Sequence, residues 1–125
     1  MFLSDLQDYL TVHGYADIYR DNMPDQPNEC IGLFLTAHTV PPISDGSASR
    51  YVQIRVRRLD GDDAYTTAYS IFKLLDSGLN EDVIQLTEQR AVIARPHAGP
   101  VKLVTNESGY TIYFTEIVLI GDDNP

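Results

Sequence analysis

The chain has 125 residues, 43% of them hydrophobic, and a formal charge of −9 from 18 acidic and 9 basic side chains. That supports one hydrophobic core and is too little for two, and the acidity argues against a nucleic-acid binder, whose affinity comes from clustered Lys and Arg that displace counterions from phosphates. No run approaches the roughly 18 apolar residues of a membrane span, the first residues lack the basic and apolar regions of a secretory signal, and the lone cysteine, Cys30, sits in an apolar run and reads as the buried, reduced thiol of a cytoplasmic product.

Apolar residues at Phe2, Leu3, Leu6, Tyr9, Leu10 and His13 recur at helical spacing. They predict an amphipathic helix over residues 2–13, with Ser4 and Gln7 as a capping box and Gly14 as the stop. A short strand at 16–19 and a Pro- and Asn-containing turn at 22–28 come next. Residues 30–36 are almost uniformly apolar, the pattern of a strand buried on both faces at a sheet centre. Residues 38–50 show no periodicity, and Pro41 and Pro42 precede a Ser-rich stretch. Structureless loops of about a dozen residues in compact domains are usually functional or disordered, so Pro41, Pro42, Ile43 and Asp45 are candidate partner contacts.

Strict alternation follows, with Val52, Ile54 and Val56 on one face of a strand and Tyr51, Gln53, Arg55 and Arg57 on the other. Asp60-Gly61-Asp62-Asp63 opens a second helix at 63–77, in which Tyr65, Ala68, Tyr69, Phe72 and Leu75 keep the 3.6 period and Gly78 ends it. Further strands are expected at 83–95, 101–105 and 109–120. They are separated by the break Pro96-His97-Ala98-Gly99-Pro100 and the turn Asn106-Glu107-Ser108-Gly109, and residues 121–125 form a frayed acidic tail. In the last strand Tyr110, Ile112 and Phe114 lie in one phase and Ile117 and Leu119 in the other. Either a bulge shifts the register or both faces are covered, one of them by a neighbour. The expected fold is a single α+β domain over residues 1–120, two helices packed on a mostly antiparallel twisted β-sheet.

The chemistry-bearing residues do not assemble into a motif. His13, His38 and His97 have no partner at metal-ligand spacing. Asp60 to Asp63 resembles the start of a calcium loop but lacks the later oxygen ligands, and helix capping explains it better. Ser44, Ser47 and Ser49 sit in no nucleophile elbow, and no glycine-rich phosphate cradle is present. The expectation is a non-enzymatic protein with no catalytic, cofactor or metal residue. What remains is a basic cluster, Arg55, Arg57 and Arg58, and eight tyrosines, which suit contact surfaces or, more blandly, a solvated strand face. Tyr51, Gln53, Arg55, Arg57, Ile117 and Leu119 therefore join the loop residues as candidate subunit contacts, and Arg55 and Arg57 are expected to face a subunit boundary.

Several of these pieces occur together in one known arrangement. The helix at 2–13, Met23-Pro24-Asp25-Gln26-Pro27-Asn28-Glu29-Cys30-Ile31 with its turn running into a buried strand, Pro41-Pro42, the strand Val52-Gln53-Ile54-Arg55-Val56-Arg57 and the helix Ala64-Tyr65-Thr66-Thr67-Ala68-Tyr69 resemble the phage minor capsid proteins that act as tail terminators or head-to-tail joining proteins of long-tailed bacteriophages. The resemblance covers about residues 1–120; the Ser-rich loop and acidic tail have no counterpart in it. It implies a virion protein of the neck or tail, assembled in the host cytoplasm, without a membrane contact. It further implies a homo-oligomer, a hexameric ring on the head-proximal end of the tail tube, with the major tail tube protein and the head connector or stopper protein as partners and with DNA passing through an acidic lumen without specific binding. A connector adaptor, a stopper or a tail-tube subunit stays open beside it, as does an unrelated cytoplasmic module that binds a peptide or small ligand with the long loop.

Overall fold

The computed structural model of the chain describes residues 2–36, 47–76, 83–105 and 108–122. Along them run α1 (Phe2–Val12), β1 (Ile18–Arg20), β2 (Cys30–Leu35), β3 (Ser47–Arg58), α2 (Gly61–Leu74), β4 (Ile84–Gln85), β5 (Ala91–Thr105) and β6 (Thr111–Asp122). The strands form one sheet in the order β1-β2-β3-β6-β5-β4; β1 and β2 are parallel and every other pair is antiparallel. Both helices pack on one face of it, so the α+β architecture read from the sequence is the one observed. No helix of the described residues is long and apolar enough to cross a membrane.

The core lies between the helices and that face. In α1 the i, i+3, i+7 stripe Leu3, Leu6 and Leu10 is fully buried, and it meets Ile31, Leu33, Val52, Ile54, Val56, Ile117 and Leu119 from the sheet. Each such side chain contributes about 1.5–3 kcal/mol by leaving water. The capping box expected from Ser4 and Gln7 does not form. The helix already begins at Phe2, so Ser4 lies inside it, and Gln7 donates from Nε2 to the Ile18 carbonyl at 2.6 Å.

In α2 the inward residues are Ala64, Ala68 and Ile71, followed by the buried Leu75 at the C-cap. The alanines let the helix backbone approach the sheet, so the bulky rings expected inside are pushed to its flank: Tyr65 and Tyr69 are 44% and 41% exposed. The helix also begins two residues earlier than the acidic run suggested, since Asp60 is the N-cap and its Oδ1 accepts the Asp62 N–H at 3.0 Å. Gly78, its expected stop, lies outside the described residues.

Three strand expectations are corrected and one open alternative is closed. Residues 47–50, expected as loop, pair with 119–122, which also draws Gly121 and Asp122 out of the expected frayed tail. Residues 83–95 are not one strand, because a tight turn (Leu86 N–H to Arg90 O, 2.9 Å) separates β4 from β5. The Pro96 to Pro100 break is absent: β5 runs through it, absorbing three register shifts against β6. Proline is tolerated there because, beyond Ala91 and Val92, no described strand lies on the outer side of β5, so a missing N–H costs no ladder bond. Finally, β3 and β6 pair without interruption from Ser47↔Asp122 to Arg58↔Thr111, so no bulge explains the phase slip in β6. Odd positions such as Thr115, Ile117 and Leu119 face the helices, even positions such as Phe114, Val118 and Ile120 face away, and both sets are rich in apolar residues.

Candidate interaction surface

The residues singled out in the sequence separate into groups once the strands are paired. Ile117 and Leu119 are fully buried beneath the helices and fill the chain's own core, because their phase on β6 is the one the helices cover. Arg57 is turned inward too. Its Nε donates to Asn28 O at 2.6 Å, and its Nη2 donates to Pro27 O at 3.2 Å and to Pro24 O. Since Cys30 pairs with Arg57, the turn that precedes β2 folds over the end of β3 and closes on the guanidinium, leaving it 9% exposed. It ties down that turn. Pro41, Pro42, Ile43 and Asp45 lie outside the described residues.

Tyr51, Gln53 and Arg55 do come together, half-buried on the face of the sheet away from the helices. Arg55 donates from Nε to Gln53 Oε1 at 2.6 Å and lies over the Phe34 ring, 4.5 Å from its centroid. Tyr51 meets His97 of β5 edge-on at 5.0 Å, and His97 Nε2 is 3.3 Å from Oε1 of Glu116, a carboxylate 7% exposed directly across from Gln53. This network spans β2, β3, β6 and β5 with aromatic bodies and polar tips.

Two further surfaces were not evident in the sequence. One is the open side of β5, where Val101, Leu103 and Val104 are 47%, 45% and 45% exposed within five residues. Beside it α2 presents a ring stack, Tyr65 on Tyr69 at 6.1 Å and Tyr69 on Phe72 at 6.2 Å, with Lys73 over Tyr69 at 4.9 Å. The other is a groove of about 520 Å³ along the opposite edge of the sheet, lined by Gln7, Ile18, Tyr19, Arg20, Asp21 and Asn22. The signal that could have found the first was charge: β5 contains Arg95, His97 and Lys102 and no carboxylate, in a chain of −9.

The titratable groups serve structure where they can be assigned. Asp60 caps α2, Asp63 lies 3.4 Å from Arg58, and Asp5 pairs with Arg90 at 2.7 Å, fastening α1 to the start of β5. Burial pushes the Cys30 thiol above its ordinary value, against the opposing charges of Arg57 and Arg58, so it stays protonated at neutral pH. Among the described residues no three His, Cys, Asp or Glu side chains gather where they could hold a metal ion.

Comparison with known families gives a match to the model for bacteriophage tail terminator proteins over residues 6–123, from the first turns of α1 to the end of β6. A search of the curated proteins finds no match. The matched span takes in every strand of the sheet and both surfaces at its edges. The chain belongs to the bacteriophage tail terminator family and is a structural protein of the phage tail.

Proposed function

We propose that this chain assembles as a ring of six on the head-proximal end of the tail tube, where it stops tube growth and offers the docking surface for the head connector. The observation that carries the reading is the family match across residues 6–123. The physical character of the chain supports it. A small subunit of this size can act through its contacts alone, with information held in repeated interfaces and no catalytic step. Exposed apolar and aromatic residues on β5 and α2 supply such contact area. The net charge of −9 makes a ring lumen repel phosphate, so DNA passes through without adhering.

The test is electron microscopy of particles assembled with and without the chain. Without it, tails should be irregular in length and detached from heads; with it, density for six copies should sit between tube and connector. Tails of normal length joined to heads in its absence, or density at another place in the particle, would refute the reading.

A further inference from the structure

We propose that copies of this chain join head to tail through the two edges of the sheet, the basic β5 side of one copy entering the groove on the acidic β1 side of the next. The proposal rests on the ring reading and names the surfaces that would build it.

Three observations converge on one occupant, a second copy. The first is position. Following the pairing from strand to strand, Ile18, Ile31, Val56, Tyr113 and Lys102 form one row across the sheet, and Tyr19, Gly32, Arg55, Phe114 and Val101 form the next. The exposed stretch of β5 therefore lies at the same height as the groove, on the opposite edge. The pairings also make β5 antiparallel to β1. A copy displaced sideways and rotated about an axis along the strands thus brings the two edges together in antiparallel sense, and repetition of that contact closes a ring when the rotation divides the circle.

The second is shape. An open strand carrying Val101, Leu103 and Val104 in exposed positions is an invitation to associate, and natural sheets normally blunt such an edge. Here the bulges and Lys102 blunt it in part, while the β1 edge offers a concavity with Ile18 and Tyr19 in its lining.

The third is charge, which chooses between pairing modes. β5 carries Arg95, His97 and Lys102, all exposed, and no acid. Residues 2–29, which build the β1 side, carry six carboxylates against one arginine; Asp21 and Arg20 line the groove itself, and Asp8 and Asp17 are exposed on the segments next to its lining. Two β5 edges meeting face to face would oppose like charges; a β5 edge meeting a β1 groove brings opposite charges together. The observations therefore favour a heterologous contact over a two-fold one.

Engineered cysteines separate these modes. Val101→Cys and Tyr19→Cys are made singly, since the two positions share one row on the two edges, Val101 is exposed, Tyr19 lines the groove and Cys30 is fully buried. Each full-length variant, their equal mixture, and the double variant are oxidised mildly in concentrated solution and in assembled tails. Disulfide dimers in the mixture but in neither single variant, and a ladder of multimers in the double variant, are the expected result. Self-linked dimers of Val101→Cys alone would establish a two-fold β5 contact and overturn the proposal. Particles that hold a ring of this chain yet give no cross-link would overturn the surfaces and leave the ring reading standing; particles without a ring would take both down. As a second measurement, Arg95→Glu with Lys102→Glu should leave the monomer's melting unchanged and weaken assembly by about tenfold or more; undiminished assembly overturns the proposal.

Discussion

Replacing Arg57 by alanine separates the two roles that its position allows, a clamp within the subunit and a contact between subunits. The guanidinium holds three carbonyls, those of Pro24, Pro27 and Asn28. Hydrogen bonds from a charged donor contribute about 1.5–3 kcal/mol each, but two of the three share one nitrogen and the turn is near enough to solvent for water to replace the lost donor, so a net loss of about 2–3 kcal/mol is expected. With an unfolding entropy of about 2.1 cal/mol/K per residue, that loss lowers Tm by about 8–12 °C in a chain of this length. Arg57→Lys should recover less than half of it, because a single ammonium cannot reach Asn28 and Pro24 together. The assay is urea and thermal unfolding of the isolated subunit, with assembly onto tails scored separately. A Tm within about 2 °C of the parent, combined with lost assembly, would refute the clamp and return Arg57 to a subunit boundary.

Three other outcomes follow from single contacts. Thr115 is fully buried on the helix-covered face and its hydroxyl has no hydrogen-bond partner, so Thr115→Val should stabilise the fold by about 1–2 kcal/mol; a lower urea midpoint would show that the hydroxyl is satisfied. A methyl added at Gly32 would lie 2.5 Å from Met23 Cγ and 2.7 Å from Phe34 Cε2. Gly32→Ala should therefore destabilise by about 1–3 kcal/mol, with much of the loss recovered by adding Met23→Ala; additive effects in the double variant would contradict the contact. Because folding raises the Cys30 pKa above its ordinary value of 9.0, the stability linked to the neutral thiol is whole below that pH and declines as pH rises past it toward the folded value. Native protein at pH 7 should resist thiol reagents until unfolded, and prompt stoichiometric labelling would show that Cys30 is accessible.

Local pattern determined the elements whose burial depends on one repeating period. The stripe Leu3, Leu6, Leu10 and the alternation Val52, Ile54, Val56 were legible because a helix or strand with one covered face must write its period into the chain. Composition and order of elements likewise determined the α+β class and the net negative charge. The tertiary structure alone decided where similar patterns lead. The tyrosines of α2 keep helical spacing, yet the alanines at 64 and 68 are what the sheet admits, since closeness of approach is a property of two surfaces. Pro96 and Pro100 read as a break because a strand interior needs its N–H groups, and nothing local says that past Val92 no described strand pairs with the outer side of this one. Arg57 and Arg55 alternate identically in sequence, but only one stands beside the turn that closes on it, through a pairing 27 residues away in the chain from Cys30 to Arg57. The edges of the sheet exist only once the strand order is set, and strand order is fixed by long-range pairing that no window of neighbouring residues contains.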